Sequence, residues 1–290
     1  MWSANAKGAL LMAAGRIAFV SNDAFMKFLF VDLSVFQAMF LRGLFAVPLI
    51  ALIAWWHRCL FIRIGRLEFM LLVLRGGAQI GMASCFLLAL SEMPIANVAA
   101  IMQALPLCLV MVAALCLGEM VGWRRWAAVV VGLFGVLMII RPGTDAFSLY
   151  SLLALAAVGF ATLNDAVTRY LPSRIPALFA AMFTAGAVCL FSGGMSIGDA
   201  WPTANEVNWP VVGLCAVTVA GGYLLQVMTM RQGDLSFVAP FRYVGLVWAI
   251  FLGVVLFAEW PDGWTLAGGG LVVAMGLYSF YADRNYGQRG

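Results

Sequence analysis

The sequence contains one motif twice, about half a chain apart. Asn22-Asp23-Ala24 begins the first copy and Asn164-Asp165-Ala166 begins the second, an offset of 142 residues. The correspondence continues downstream at offsets of 140 to 143 residues, through the pairs Phe36/Phe179, Met39/Met182, Phe40/Phe183, Gly43/Gly186, Gly81/Gly221, Glu119/Glu259, Trp123/Trp264 and Gly135/Gly276. Such self-similarity indicates a tandem duplication, so the two halves, residues 1–143 and 144–290, are expected to share one fold.

The composition excludes a water-soluble fold. Of the 290 residues, 64% are hydrophobic and 10% are charged, and the mean hydropathy is +0.99. A soluble domain carries about 25% charged residues. Ten apolar runs are long enough to cross about 30 Å of hydrocarbon: residues 7–27, 33–56, 67–90, 95–117, 123–140, 147–168, 176–195, 209–230, 235–257 and 264–281. We therefore predict an all-α polytopic membrane protein with ten transmembrane helices.

Lysine and arginine predict the orientation of these spans, because they concentrate in cytoplasmic loops. If both termini are cytoplasmic, eleven basic residues lie inside: Lys7, Arg58, Arg63, Arg66, Arg124, Arg125, Arg169, Arg174, Arg231, Arg284 and Arg289. Only Lys27 and Arg141 then lie outside. We expect a multi-pass protein of the plasma membrane, the inner membrane of a bacterium. The net charge of +4 reflects this topology and indicates no nucleic-acid partner.

Five spans per repeat is an odd number, which inverts the second half relative to the first. Inverted repeats are typical of secondary transporters, in which the substrate binds between the halves near the midplane and access alternates as the halves rock. Channels also contain inverted repeats. The duplication therefore predicts transport in the broad sense.

Spans 1 and 6 carry the duplicated acids. Span 1 is expected to stay in the protein, since Asp23 lies inside it and no small-residue cleavage pattern follows. Asp23 and Lys27 are four residues apart, as are Asp165 and Arg169, so each acid can pair with a base along its helix. Either these are interfacial pairs whose long basic side chains reach water, or the carboxylates titrate or gate transport. The candidate coupling or gating residues are Arg16, Asn22, Asp23, Arg42, Asn164 and Asp165.

Span 3 has a polar stripe. Its residues Arg75, Gln79, Met82 and Phe86 are spaced by three and four positions and therefore share one helix face. A stripe of this mixture is not typical of a lipid-facing surface, which leaves a cavity wall or interhelical packing as the alternatives. The counterpart in the second half, span 8, offers Tyr223 and Gln226.

Prolines mark spans 4 and 9. Pro106 follows Gln103 in span 4, and Pro240 precedes Arg242 and Tyr243 in span 9. A proline in a spanning helix frees a backbone carbonyl, which is tolerated where protein or a wet cavity satisfies it. A packing kink is the alternative to a binding site. The candidate substrate-binding residues are Arg75, Gln79, Met82, Phe86, Gln103, Tyr223, Gln226, Arg242 and Tyr243.

The histidine and cysteine residues indicate no metal site and no cofactor. His57 is the single histidine and lies in a basic loop, and the six cysteines show no CxxC spacing, so they are expected to pack as small apolar residues. Glycines in spans 5 and 10, among them Gly132, Gly135 and Gly268, indicate close helix packing. That packing can lie within the chain or at a homodimer surface.

Several short motifs are similar to those of a known transporter family. They are Glu92-Met93-Pro94-Ile95-Ala96-Asn97, Pro106, Leu117-Gly118-Glu119 and Arg141-Pro142 in the first half, and residues 233–240 and Ala258-Glu259 in the second. Their order resembles the EamA repeat of the drug/metabolite transporter superfamily over nearly the whole chain, although Trp260-Pro261-Asp262 departs from its pattern. The resemblance implies ten helices in two inverted five-helix repeats, around a central cavity lined mainly by spans 1, 3, 4, 6, 8 and 9. It also implies export or exchange of amino acids or related small metabolites.

The charges inside the spans predict what such a cavity binds. Charge in a bilayer is costly, so six residues are expected to face the interior or water: Arg16, Arg42, Arg75, Arg242, Asp23 and Asp165. Four arginines against two aspartates make the cavity electropositive. That charge suits a substrate with a carboxylate, which arginine can bind bidentately, with Arg75 and Arg242 as the expected anchors.

An enzyme is not expected. Two aspartates in a membrane can form a protease dyad only if they are close enough to share a proton. Asp23 is expected toward the outer face and Asp165 toward the inner face. The HExxH motif of zinc proteases is absent, and no histidine lies in a span. The alternatives to an exporter are an importer of another metabolite, such as a vitamin, nucleoside or sugar, and a channel-like facilitator. The expected partners are a small-molecule substrate and membrane lipid.

Overall fold

The computed structural model describes residues 4–60, 62–116, 121–143, 147–229 and 238–284. The regular structure in these ranges is helical: α1 Ala4–Leu29, α2 Val35–Trp56, α3 Arg66–Glu92, α4 Ile95–Met102, α5 Leu105–Cys116, α6 Trp123–Ile140, α7 Leu149–Arg169, α8 Ala177–Met195, α9 Trp209–Thr229, a 3₁₀ turn Ala239–Tyr243, α10 Val244–Phe257 and α11 Gly263–Arg284. The motifs 117–119 and 233–237 lie outside the described residues, as do the basic positions 231 and 289.

The ten predicted spans are confirmed. Within the described ranges, nine segments are long and apolar enough to cross a membrane, by length and composition. Seven of these are the single helices α1, α2, α3, α6, α7, α8 and α9, and the other two are Ile95–Cys116 and Pro240–Phe257. The helix α11 occupies the position of the tenth span.

Spans 4 and 9, predicted as continuous, are both interrupted. In span 4, α4 ends at Met102 and the amide of Gln103 bonds the carbonyl of Ala100 at 3.2 Å, a tight turn that precedes α5. Pro106 lies in the first turn of α5, where its missing N–H and its ring no longer disturb a preceding helical turn. In span 9, Pro240 lies in the 3₁₀ turn that leads into α10. The two breaks therefore lie at corresponding positions of the two halves.

The start of α2 shows how local sequence connects the halves. Ser34 and Gln37 form a capping box, in which the Ser34 hydroxyl accepts from the Gln37 amide at 3.3 Å and the Gln37 side chain accepts from the Ser34 amide at 3.0 Å. The Gln37 side chain also donates to the carbonyl of Ala200 at 3.1 Å. The cap therefore ties α2 to the loop between α8 and α9.

Helix packing follows the duplication. α1 packs along α9, and its counterpart α7 packs along α3 in the same way. α2 packs on α8, and α6 packs on α11, so each of these helices contacts its own counterpart. α4 likewise contacts α10. Exchanging every helix with its counterpart therefore reproduces these contacts, as expected of two five-helix repeats joined around a pseudo-twofold axis.

Glycines allow the close approach of α6 and α11. A Cβ atom at Gly268 would lie 2.5 Å from the Gly135 carbonyl oxygen, and one at Gly135 would lie 2.8 Å from the Gly268 oxygen. A Cβ atom at Gly132 would likewise lie close to the side chains of Leu107 and Met275. These three glycines are therefore used for packing within the chain, whereas Gly270 on the same helix α11 has open space beside it.

Replacing Gly268 with alanine should separate α6 from α11. The added methyl group meets backbone atoms, which cannot rotate away, so the variant should lose about 1–3 kcal/mol of stability. Thermal unfolding of the purified protein in detergent measures this loss. Gly270→Ala is the matched control on the same helix and should stay within about 0.5 kcal/mol of the parent. Equal losses for the two variants would contradict the packing role of Gly268.

Candidate functional site

A cavity of about 280 Å³ lies between the two halves. Its wall is formed by α1, α2, α3, α4, α7, α9 and α10, with the 3₁₀ turn at the start of span 9 and the first residue of α5. All six candidate coupling residues line it: Arg16, Asn22, Asp23, Arg42, Asn164 and Asp165. So do eight of the nine candidate substrate-binding residues: Arg75, Gln79, Met82, Phe86, Gln103, Tyr223, Gln226 and Arg242. The structure therefore brings the residues of spans 1, 3, 4, 6, 8 and 9 to one site, while Arg42 adds span 2.

Tyr243 is the exception among the predicted wall residues. It is buried away from the cavity, with its hydroxyl group against α11, in space that exists because position 276 is glycine. Arg242, its neighbour in the 3₁₀ turn, does line the cavity. Successive residues of a 3₁₀ turn point about 120° apart, so adjacent residues face different sides. Tyr243 is therefore not among the described residues that line this cavity, and its role in substrate binding stays a prediction.

Sequence reasoning missed the apolar part of the wall. Phe19 and Val20 line the cavity three and four residues after Arg16, on the same face of α1. The Phe19 ring meets the Tyr223 ring edge to face, with centroids 5.3 Å apart. Helical spacing from Arg16 could have identified both residues, but apolar side chains in an apolar span give no compositional signal. The wall thus combines charged groups with aromatic and aliphatic surface.

Arg75 is held by three hydrogen bonds inside the protein. Its Nε donates to the Thr168 hydroxyl at 2.9 Å, and its Nη1 donates to the Ala180 carbonyl at 2.9 Å and to the Thr184 hydroxyl at 3.4 Å. Nearby, the Asn164 amide donates to Gln79 Oε1 at 2.9 Å. Arg75 therefore joins α3 to α7 and α8 as well as facing the cavity, so part of its hydrogen-bonding capacity is already used.

The two duplicated aspartates, expected toward opposite faces, both line this single cavity. Asp23 accepts a hydrogen bond from the Asn22 side chain at 3.1 Å. Arg16 is an electrostatic neighbour of both carboxylates, and Arg242 and Arg169 are neighbours of Asp165. Among the described contacts, no hydrogen bond joins the two carboxyl groups, so the geometry does not resemble a proton-sharing dyad.

The ion pair between Asp23 and Lys27 that their spacing allows is not formed among the described contacts. Lys27 Nζ instead lies 2.5 Å from Glu259 Oε1 and donates to the Met93 carbonyl at 2.7 Å. The other oxygen of Glu259 accepts from the Ile95 amide at 2.9 Å, at the N-terminus of α4. An acid at a helix N-terminus is favourable because it receives the unpaired amides there. The partner of Lys27 thus comes from the segment after α10 and not from its own helix.

Lys27, Met93, Ile95 and Glu259 together form what we call the latch. The latch joins the ends of α1, α3 and α10 to the start of α4. Ala258 turns the chain into position with a left-handed φ of 53°. The side of Ile95 that faces inward lines the cavity. The latch is therefore adjacent to the cavity through Ile95.

A second, more exposed ion pair lies between Arg141 and Asp262. Asp262 also accepts from the Thr265 amide at 2.8 Å, which caps the start of α11. Partial burial raises the pKa of the Asp262 carboxyl, but the hydrogen bonds from Arg141 and from Thr265 outweigh this effect and hold the pKa below its usual value. The carboxylate of Asp262 therefore stays ionised at neutral pH.

Neither a hydrolase site nor a metal site is visible in the described ranges. Residues 194–198 have the spacing Gly-x-Ser-x-Gly, but Ser196 is the buried C-cap of α8 and its hydroxyl donates to the Gly193 carbonyl at 2.9 Å. The nucleophile elbow that this spacing represents needs a strand-to-helix turn. The described residues contain no group of three His, Cys, Asp or Glu placed to hold a metal ion. The six cysteines are free thiols, and His57 is exposed.

Removing the charge of Glu259 should weaken the latch. Glu259→Gln leaves the Lys27 ammonium group, which is only 14% exposed, without its counter-ion, and should cost about 1–3 kcal/mol. Asp262→Asn is the matched control, because the Asp262 side chain is 49% exposed and an exposed pair contributes about 0–1 kcal/mol. Thermal unfolding in detergent compares the two variants. A loss for Glu259→Gln no larger than that for Asp262→Asn would show that the latch contributes no more stability than a surface pair.

The whole chain is similar to known membrane transporters. The model of the EamA-like transporter family matches residues 6–141 and again 148–280. The chain is 25% identical over 272 residues to an S-adenosylmethionine uptake transporter of Rickettsia felis, covering 91% of this chain and 89% of the relative. It is 24% identical to a pseudopaline exporter of Pseudomonas aeruginosa, covering 92% and 93% of the two chains.

A third relative and a solved structure extend the comparison. A riboflavin transporter of Brucella anthropi is 27% identical over 202 residues, covering 67% of this chain and 70% of the relative. One protein of known crystal structure superposes with a TM-score of 0.64 at 18% identity, over 98% of this chain and 100% of that protein. At that identity the superposition supports the fold alone.

Proposed function

Because the chain belongs to the EamA-like transporter family, we propose that it is a secondary transporter that exports or exchanges amino acids or related small carboxylates. The observation that carries the proposal is the cavity between the two halves, whose wall combines four arginines with apolar side chains. Arginine binds carboxylates through two parallel charge-assisted hydrogen bonds. Met82, Phe86 and Phe19 would contact the apolar part of the substrate.

Arg242 and Arg16 are the proposed carboxylate anchors. Three hydrogen bonds already engage Arg75, so it orients the site and contributes charge. The Nε atom of Arg16 is buried and has no hydrogen-bond partner among the described residues. Arg242 lines both the cavity and a smaller pocket of about 130 Å³ beside it. Both groups therefore have capacity to bind a ligand.

The proposed transport mechanism is alternating access. The two repeats, residues 1–143 and 144–290, would have inverted topology, with both termini cytoplasmic and the latch at the outer end. Two features support it: the odd number of spans per repeat and the helix contacts that are reproduced when the repeats are exchanged. Opening the latch while the opposite end closes would move the cavity from one side to the other.

An importer of a different metabolite is the second candidate. The S-adenosylmethionine uptake transporter favours import, and the riboflavin transporter favours a metabolite of another class. The pseudopaline exporter favours the outward direction. A channel-like facilitator is the remaining alternative, and saturable flux distinguishes a carrier from it.

Uptake into liposomes containing the purified protein tests the proposal. Labelled amino acids, S-adenosylmethionine and riboflavin are compared, and we expect saturable flux of a carboxylate-bearing substrate. Arg242→Gln should lower its apparent affinity about 10- to 100-fold, as loss of a charge-assisted pair predicts. Arg63→Gln, in an exposed loop, is the matched control and should leave the affinity unchanged. Unchanged flux in the Arg242→Gln variant would contradict the anchor role.

The duplicated aspartates are proposed to couple transport to protons. Asp23→Asn and Asp165→Asn keep the shape and size of each side chain and its ability to form hydrogen bonds, while removing the titrating group. If either carboxylate carries the proton, its variant should lose the acceleration of flux by a pH gradient while retaining flux without a gradient. Flux with an unchanged gradient response in both variants would remove the coupling role of these residues.

A further inference from the structure

The charged residues of the cavity divide into a duplicated set and an unduplicated set. Asn22 and Asp23 recur as Asn164 and Asp165, and all four line the cavity. The four arginines do not recur. At the matching offsets in the sequence of the other repeat, the residue that corresponds to Arg16 is Val158, to Arg42 is Ala185, to Arg75 is Cys215, and to Arg242 is Met102. The arginines are therefore not part of what the duplicated fold itself requires.

The unduplicated arginines leave the cavity with a charge surplus. The residues on its wall include four arginines, two aspartates and no lysine, glutamate or histidine, so the wall carries 4 − 2 = +2 charges. Arginine does not lose its proton in proteins. Protonation of Asp23 and Asp165 would raise the surplus to +4. The protonation of wall residues therefore cannot remove it.

The surplus is not compensated inside the protein either. The ion pairs among the described residues join Lys27 to Glu259, Arg141 to Asp262, and Arg174 to Glu68, and none of them includes a cavity arginine. Arg75 bonds only neutral oxygen atoms. Charge inside a membrane protein is costly without water or a counter-ion, so a site with this surplus favours an occupant of opposite charge.

Two of the arginines lie close enough to repel each other. Arg242 is an electrostatic neighbour of Arg16, whose Nε atom is buried without a hydrogen-bond partner among the described residues. An anion between the two guanidinium groups would relieve this repulsion and supply the missing acceptor. Arg16 also has Asp23 and Asp165 as electrostatic neighbours of opposite sign, and with Arg242 it is the group against which we expect an anion to bind.

We propose that the cavity binds a dianion, a small metabolite that carries two negative charges as a dicarboxylate or as a phosphate monoester. The inference rests on the proposed function, since it takes the cavity to be the transport site, and for that site it favours a doubly charged anion over a zwitterionic amino acid. A zwitterionic monocarboxylate such as alanine has no net charge and leaves the surplus of +2 unchanged. A dianion neutralises it.

Binding to the purified protein in detergent tests the proposal without requiring transport. Succinate, glycerol 3-phosphate, acetate, alanine and chloride are titrated at constant ionic strength, and the shift in unfolding temperature gives each apparent dissociation constant. The constant for succinate or glycerol 3-phosphate should be at least about tenfold lower than that for acetate. The stronger of the two dianions identifies carboxylate or phosphate as the preferred group.

Variants that remove one positive charge from the cavity wall test whether the charge surplus determines the preference for dianions. Arg16→Gln reduces the surplus to +1 and removes a proposed anchor, so it should weaken the binding of both ligands, and that of the dianion about tenfold more than that of acetate. Arg42→Gln makes the same change at another position, should Arg16→Gln fail to fold. Arg63→Gln removes a positive charge from an exposed loop and should leave the ratio of dianion to acetate affinity unchanged.

The possible outcomes separate this inference from the proposed function. Stabilisation by acetate or chloride as strong as that by the dianions, or an affinity ratio that Arg16→Gln leaves unchanged, overturns the dianion proposal. Saturable alanine flux without any preference for dianions overturns it too, while leaving the transporter proposal in place. Selective dianion binding without flux supports the binding site and overturns the carrier role.

Discussion

A charged side chain inside a membrane needs a partner, because hydrocarbon supplies neither water nor counter-ions. The positions of the charged residues in and beside the cavity follow from that constraint. Glu259, in the other repeat, is the ion-pair partner of Lys27. The resulting latch joins four chain segments beside the cavity. Within the described part of the chain no ion pair includes a cavity arginine, so the site retains charge that a ligand can use.

The same constraint explains why the backbone breaks where it does. Spans 4 and 9 are interrupted beside the cavity, at Gln103 and at the 3₁₀ turn that carries Arg242. Irregular backbone is tolerated at membrane depth only where protein or a wet cavity satisfies its polar groups. Because the two breaks occupy matching positions in the repeats, each half contributes one broken span to the site.

Helical periodicity predicted the cavity wall well but could not predict long-range partners. The stripe from Arg75 to Phe86 lies on the wall because side-chain direction repeats with the helix, whatever surrounds it. The partner of Lys27 lies 232 residues away, so it depends on how α1 and α10 pack and not on local spacing. Tyr243 lies outside the cavity wall because successive residues of its turn point in different directions, which proximity in sequence to Arg242 does not reveal. Phe19 was not predicted because an apolar residue in an apolar span gives no signal in the sequence.

We propose that substrate binds between the two repeats, against the cavity arginines. A structure determined with a saturating concentration of the transported carboxylate would locate the bound substrate. We expect ligand density in the cavity of about 280 Å³, within hydrogen-bond distance of Arg16 or Arg242. Ligand density confined to the smaller pocket beside Arg125, or at the lipid-facing surface with the cavity empty, would contradict it.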